Sequence, residues 1–226
     1  MNPKSILSAK TGKILLAFTA ATAIAMAQSV SDITAQVKAN LEKSPWEANI
    51  LGKIQLPDGS TQDADFRVQV IPGKNETTRV DFNKPNALEG NFVVISKTEV
   101  WNYLFLTNQV IKQSRAKAKI DGLGVDLSGL GDIDQLTEKF TTKLSGTVTT
   151  PEGAAYKLVS TTKDKSMGYT TMEMLILKTD PRPYNIKLKD EKGAVVGDLT
   201  IKNFKRSKAT TKTLKKVPAD AEIIKK

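Results

Sequence analysis

Neither cysteine nor histidine occurs among the 226 residues. Without cysteine there is no disulfide framework, no thiolate nucleophile and no residue to carry a lipid anchor after export. Without histidine the commonest general base and the commonest transition-metal ligand are missing. The two absences argue against most hydrolases, redox enzymes and zinc proteins, and the sequence predicts no enzyme, no metal and no cofactor. Asp132 and Asp134 form a carboxylate pair without further oxygen ligands, which reads as a solvated helix start rather than a cation site. Ser160-Thr161-Thr162-Lys163 matches the S-x-x-K spacing of a serine nucleophile. It follows the alternating stretch Ala155 to Val159, however, whereas that chemistry needs serine and lysine one turn apart at a helix start. Lys10-Thr11-Gly12, a possible companion, lies in the leader described next.

Long hydrophobic runs are also scarce. The run from Ile14 to Ile24 is well short of the roughly 20 residues of a spanning helix. Lys4, Lys10 and Lys13 precede it and Ala25-Met26-Ala27 closes it, the pattern of a secretory signal peptide cleaved after Ala27. The expected organisation is therefore a leader over residues 1–27 and a single exported domain over residues 28–226, acting as a monomer in the periplasm. The formal net charge is +10, with Lys202, Lys205, Lys208, Lys212, Lys215 and Lys216 close together. Export disfavours nucleic acid as the partner, so these lysines read as a solvated face or a weak contact with anionic headgroups.

What is present is mainly alternation. Ser29-x-x-Asp32 resembles a capping box, and Val30, Ile33, Val37 and Leu41 recur at helical spacing until Pro45. The period then changes to two. Ile50, Ile54 and Leu56, then Phe66, Val68 and Val70, then Thr78, Val80 and Phe82 alternate with polar residues, separated by Pro57-Asp58-Gly59 and Pro72-Gly73-Lys74. Phe92 to Ile95 and the stretch VWNYLFLTNQVIKQS follow, the latter with Trp101, Tyr103 and Phe105 at every second position. A second helical period joins Leu127, Leu130, Ile133, Leu136, Phe140 and Leu144. Strands resume with Tyr156 and Leu158, Met172 to Leu177, Tyr184 to Leu188 and, after Asp190-Glu191-Lys192-Gly193, Val195 to Ile201. One wet face on every strand predicts an α+β domain: a single curved antiparallel sheet whose apolar face is covered by helices.

The order of motifs resembles that of the periplasmic lipoprotein carriers of the outer-membrane sorting pathway, the LolA-like proteins. After the leader, helix and strands come Trp101-x-Tyr103 with Asn108-Gln109-Val110, then Asp180-Pro181-x-Pro183, then Lys189-Asp190-x-x-Gly193-x-Val195-Val196, then Pro218-x-x-Ala221-Glu222-Ile223-Ile224. The resemblance implies an unclosed β-barrel that shelters lipoprotein acyl chains between an inner-membrane donor complex and an outer-membrane acceptor, with transient membrane contact. It also implies that Arg79 occupies the place of a strand arginine that holds the lid closed. Hiding a 16-carbon chain from water is worth on the order of 12 kcal/mol at roughly 0.8 kcal/mol per methylene, so such a carrier must enclose its cargo. Two alternatives share the same cavity: a lipid-sensing module of an envelope-stress pathway, and a general periplasmic lipid binder.

The expected cavity lining is Phe66, Val68, Val80, Phe82, Phe92, Val94, Trp101, Tyr103, Ile186 and Leu188 from strands, with Leu130, Ile133, Leu136 and Phe140 from the covering helix. Gly122, Gly124, Gly129 and Gly131 lie before and within that helix; each weakens it by up to about 1 kcal/mol, which marks a lid hinge. Leu104, Phe105 and Leu106 form an apolar turn, where the family is polar, and are the expected contact with a membrane or donor protein.

Overall fold

The structure, a computed structural model, describes residues 28–56, 58–115, 140–164 and 168–226. The leader, Leu130, Ile133, Leu136, the four hinge glycines and the Asp132–Asp134 pair lie outside the described residues. Helix α1, Val30–Leu41, begins at a true capping box: the Ser29 hydroxyl accepts from the Asp32 backbone N–H, and the Asp32 carboxylate accepts from the Ser29 N–H. Its apolar positions face one way, burying Ile33 and Val37. Strands β1 (Trp46–Gln55), β2 (Thr61–Ile71), β3 (Thr77–Lys84), β4 (Phe92–Ser96), β5 (Glu99–Leu104) and β6 (Gln109–Ser114) follow, and β7 (Thr141–Thr150), β8 (Gly153–Thr161), β9 (Thr171–Leu177), β10 (Pro183–Lys189) and β11 (Val195–Arg206) form the second run. A one-turn helix, α2 (Thr211–Leu214), and a last short strand, β12 (Glu222–Lys225), complete the described chain.

All twelve strands form one sheet in the order β12-β6-β5-β4-β3-β2-β1-β11-β10-β9-β8-β7, and its two end strands do not pair with each other. Every pairing is antiparallel except β12 beside β6. The fold is thus the unclosed, mainly antiparallel barrel that the motif order implied. One cluster of buried side chains joins Val93 of β4 to Met172 of β9 through Phe66, Val80, Phe82, Ile186 and Leu199. Strands so far apart in the order share a cluster only if the sheet curls round it, so this face is the inner, concave one. Inside it Phe66 and Phe82 meet edge to face at 5.3 Å. Where β1 crosses β11 the approach is close: a Cβ on Gly52 would stand 1.9 Å from the Asp198 carbonyl oxygen.

Cross-strand partners share a face, and the register corrects part of the expected lining. Val80 of β3 is opposite Val93 of β4, whereas Arg79 is opposite Val94 and Asp81 opposite Phe92. Phe92 is opposite Tyr103 and Val94 opposite Trp101. Phe92, Val94, Trp101 and Tyr103 therefore stand on the outer face, and Val93, Ile95 and Val100 take the inner positions. The reason is that β4 is buried on both sides. The segment after β11 crosses the outer face of β3 to β6, and its Val217 and Ala221 pack on the Phe92, Val94, Tyr103 and Val110 cluster. The expected helical period through Leu144 is also corrected, since Leu144 lies in strand β7. The run Thr-Thr-Lys-Leu-Ser-Gly-Thr-Val-Thr-Thr is rich in β-branched residues that favour a pleated backbone over a helix.

Candidate functional site

Between α1 and the inner face of β7 to β11 and β1 lies a cavity of about 100 Å³. Helix α1 supplies Ile33, Thr34, Val37 and Leu41; β1 supplies Trp46, Ala48 and Ile50; β9 supplies Met172, Met174 and Ile176. Val68, Leu158, Pro183, Ile186, Ile201 and Phe204 complete an almost wholly apolar wall, in which Trp46 and Phe204 hold their rings 5.5 Å apart. The helix rests on this wall through Ile33 and Val37 against Leu158 and Ile176. Its fourth- and third-residue spacing places these side chains on one stripe, and the period of two in β8 and β9 presents a matching surface.

Of the residues expected from the sequence, Val68 and Ile186 line this cavity. Phe66, Val80, Phe82, Phe140 and Leu188 belong to the filled inner core beside it. Missed were the apolar face of α1 itself, Trp46, Phe204 and the two methionines. Met172 and Met174 carried a signal in the sequence, because unbranched thioethers at alternate strand positions adapt to irregular spaces.

The polar groups of the cavity are few and mostly engaged. The Thr142 and Ser160 hydroxyls bond one another at 2.8 Å, and the Thr34 hydroxyl donates to the Val30 carbonyl at 3.0 Å. Ser160 thus sits in a strand with its hydroxyl spent on a threonine, not at a helix start beside Lys163. Arg182 stands where β9 turns into β10 and is 8% exposed. Its Nε donates to Asp180 at 2.7 Å and its Nη2 to Glu152 at 2.6 Å, while Nη1 is buried with no hydrogen-bond partner. Asn40, the last buried residue of α1, donates to the Asp180 carboxylate at 2.8 Å and to the Pro181 carbonyl at 3.0 Å. Arg206 donates in turn to the Asn40 carbonyl and side-chain oxygen, each at 2.8 Å. Burial alone would raise the Asp180 carboxyl, but the hydrogen bonds from Arg182 and Asn40 and the charges of Arg182 and Arg206 together hold it below its ordinary value. Asp180-Pro181-x-Pro183 is therefore the bracket that fastens the end of α1 to the rim of the sheet.

The other motifs are fastenings as well. Tyr103 donates from its hydroxyl to Asn108 at 3.0 Å, Asn108 donates to the Asp220 carbonyl at 3.2 Å, and Gln109 donates to Glu222 at 2.8 Å. Trp101-x-Tyr103, Asn108-Gln109-Val110 and the terminal motif thus meet where β12 joins β6. Arg79 lies on the outer face, stacked 3.7 Å above the Phe92 ring and donating to the carbonyls of Leu214 and Lys216 at 3.0 and 2.8 Å. It holds the segment after β11 rather than a cover of the inner face. At the β5–β6 turn Phe105 is 57% and Leu106 92% exposed, while Leu104 is half-buried. Among the described residues no group of three His, Cys, Asp or Glu side chains could hold a metal ion.

An uncharacterized conserved protein from Thermus thermophilus is 37% identical over 88% of this chain and 100% of its own, with a TM-score of 0.68. MucB, in its complex with MucA from Pseudomonas aeruginosa, is 14% identical over 86% of this chain and 62% of its own, with a TM-score of 0.54. A DUF1329 family protein from Desulfovibrio piger is 13% identical over 80% of this chain and 93% of its own, with a TM-score of 0.50. None of the curated proteins matches. At such identities the last two likenesses speak for the fold alone, and with the strand order they agree on an unclosed half-barrel. A family model described as "Uncharacterized protein" matches residues 74–221, from just before β3 through the bracket at Asp180 into the terminal motif, and this chain belongs to that family.

Proposed function

We propose that this chain is a non-catalytic, exported carrier that takes the acyl chains of lipoproteins into the cavity under α1 and moves them from an inner-membrane donor to an outer-membrane acceptor. The observation that carries the reading is the apolar cavity enclosed between one amphipathic helix and the inner face of an open sheet. At about 100 Å³ it is well below the roughly 300–1,000 Å³ of occupied ligand sites, so acyl chains enter only as the cover lifts. Helix α1 is the element suited to this, since its apolar stripe rests on Leu158 and Ile176 and its end is bracketed at Asn40. Lifted, it leaves a wall of Met172, Met174, Ile50 and Ile186 for the chain; lowered, it hides that wall from water. The exposed Phe105 and Leu106 are a natural point of contact with a membrane or a partner protein.

The test begins with the protein recovered from the periplasm, whose bound species are identified by mass spectrometry, and continues with displacement of a fluorescent acyl-chain probe from the purified chain. Bound lipoprotein or acyl lipid, and a probe that Ile186→Glu no longer takes up, are the expected results. A correctly folded protein that binds no acyl probe would sink the reading. Transfer of bound lipoprotein to acceptor membranes then separates a carrier from a sensor, which retains its ligand.

A further inference from the structure

Arg182 gives the cavity one end that differs from the rest, and its chemistry is specific. A guanidinium carries five N–H donors in a fixed plane. Here Nε and Nη2 are each committed to a carboxylate, and Nη1, on a residue that lines the cavity, has no partner although it is buried. A buried donor left unpaired is costly, and native structures seldom keep one without a reason. The cavity wall that Arg182 shares with Leu41, Trp46, Ile176, Pro183 and Phe204 is almost wholly apolar, and the guanidinium carbon stands 4.8 Å from the centre of the Phe204 ring.

The local charge decides what kind of acceptor fits. Asp180 and Glu152 already balance Arg182 and the nearby Arg206, whose positive charge acts on Asp180. A further anion such as a free carboxylate would add an unbalanced charge beside two carboxylates, whereas a carbonyl oxygen satisfies Nη1 without one.

We propose that Arg182 Nη1 donates to an ester carbonyl of the bound lipid, so that the cavity selects acyl chains joined through a diacylglyceryl ester rather than free fatty acids. The inference rests on the carrier reading and sharpens it. It places the glycerol end of the ligand at the β9–β10 rim and sends the chain inward along Ile176, Met174 and Met172. An ester of this kind occurs both in phospholipids and in the diacylglyceryl-cysteine end of lipoproteins, and the contact is the same in either.

The experiment is displacement of a fluorescent acyl-chain probe by short-chain ligands that stay monomeric. These are a phosphatidylglycerol, a diacylglyceryl-cysteine peptide, the dialkyl-ether analogue of each, and a fatty acid of the same chain length. Each ester should bind about tenfold more tightly than its ether, a difference of about 1.4 kcal/mol. The ratio should fall to near one in Arg182→Met, and the preferred ester names the source. Should Arg182→Met not fold, the ratio in the natural protein decides alone. Equal binding of ester and ether, or a fatty acid that outcompetes the esters, overturns the ester contact and leaves the carrier reading standing. If no ligand displaces the probe and the probe itself does not bind, the carrier reading fails and this inference with it.

Discussion

The two halves of the sheet follow the same alternating pattern and use it differently. In the first half β4 is buried on both faces, with Val80, Val93, Ile95 and Val100 clustered on the inner one and Phe92, Val94 and Tyr103 on the outer one under the crossing segment. From β7 to β11 the inner face meets α1, and helix and strands do not fill the space between them. A region covered on both faces becomes filled core, whereas among the described residues α1 covers the other half and leaves a cavity beneath it. On the outer face of the first half the crossing segment covers aromatic bulk: the Phe92 and Tyr103 rings stack at 4.6 Å, and Lys112 lies 3.6 Å over Trp101.

The comparison is broken most severely by emptying the filled inner core. Phe66 is fully buried beside Phe82, and Phe66→Ala should cost about 4 kcal/mol, read as a lower urea midpoint at unchanged slope. A loss below about 1 kcal/mol would mean that this region collapses as readily as a ligand site. A more moderate change separates the faces directly. Trp101→Leu should weaken the outer packing by roughly 1–2 kcal/mol while leaving the affinity for an acyl probe unchanged, because the ring stands outside the curl. A clear loss of probe affinity at unchanged stability would return Trp101 to the inner surface.

The smallest expected effect concerns pH and the bracket on α1. Asp180 titrates below its ordinary value in the folded protein. A depressed carboxyl contributes stability that is present above its unfolded pKa, about 4, and is lost as the pH falls through the lower folded value. Because the Asp180 side chain is 47% exposed, the effect on global stability is slight. Protection of the α1 amides from hydrogen exchange should nevertheless fall below about pH 4 in the natural protein, and by less in Asp180→Asn. Equal pH dependence in both would assign the acid sensitivity elsewhere, for instance to Glu47 or Glu173, which lysine and arginine partners also hold below their ordinary values.

Local pattern was enough for much of the architecture. The capping box at Ser29, the stop before Pro45, the turns at Asp58-Gly59 and Asp190 to Gly193 and the alternation of β1, β2, β3 and β10 are all short-range physics. Backbone sterics and nearby hydrogen bonds specify them without reference to the rest of the chain. The motif order also led to the open half-barrel. Two things were beyond local pattern. Alternation states which side chains share a face, but not which face is inside, since a one-residue change of register exchanges the two. For β4 and β5 the answer came from residues more than a hundred positions later, where Val217 and Ala221 cover the outer side. Likewise, nothing near Arg182 in the chain shows that Glu152, Asn40 and Arg206 converge on its turn, or that one of its nitrogens is left over. Periodicity is a property of neighbours along the chain, whereas burial and hydrogen-bond satisfaction depend on every segment that arrives, so only the tertiary structure decided where the cavity lies and which polar group stands in it.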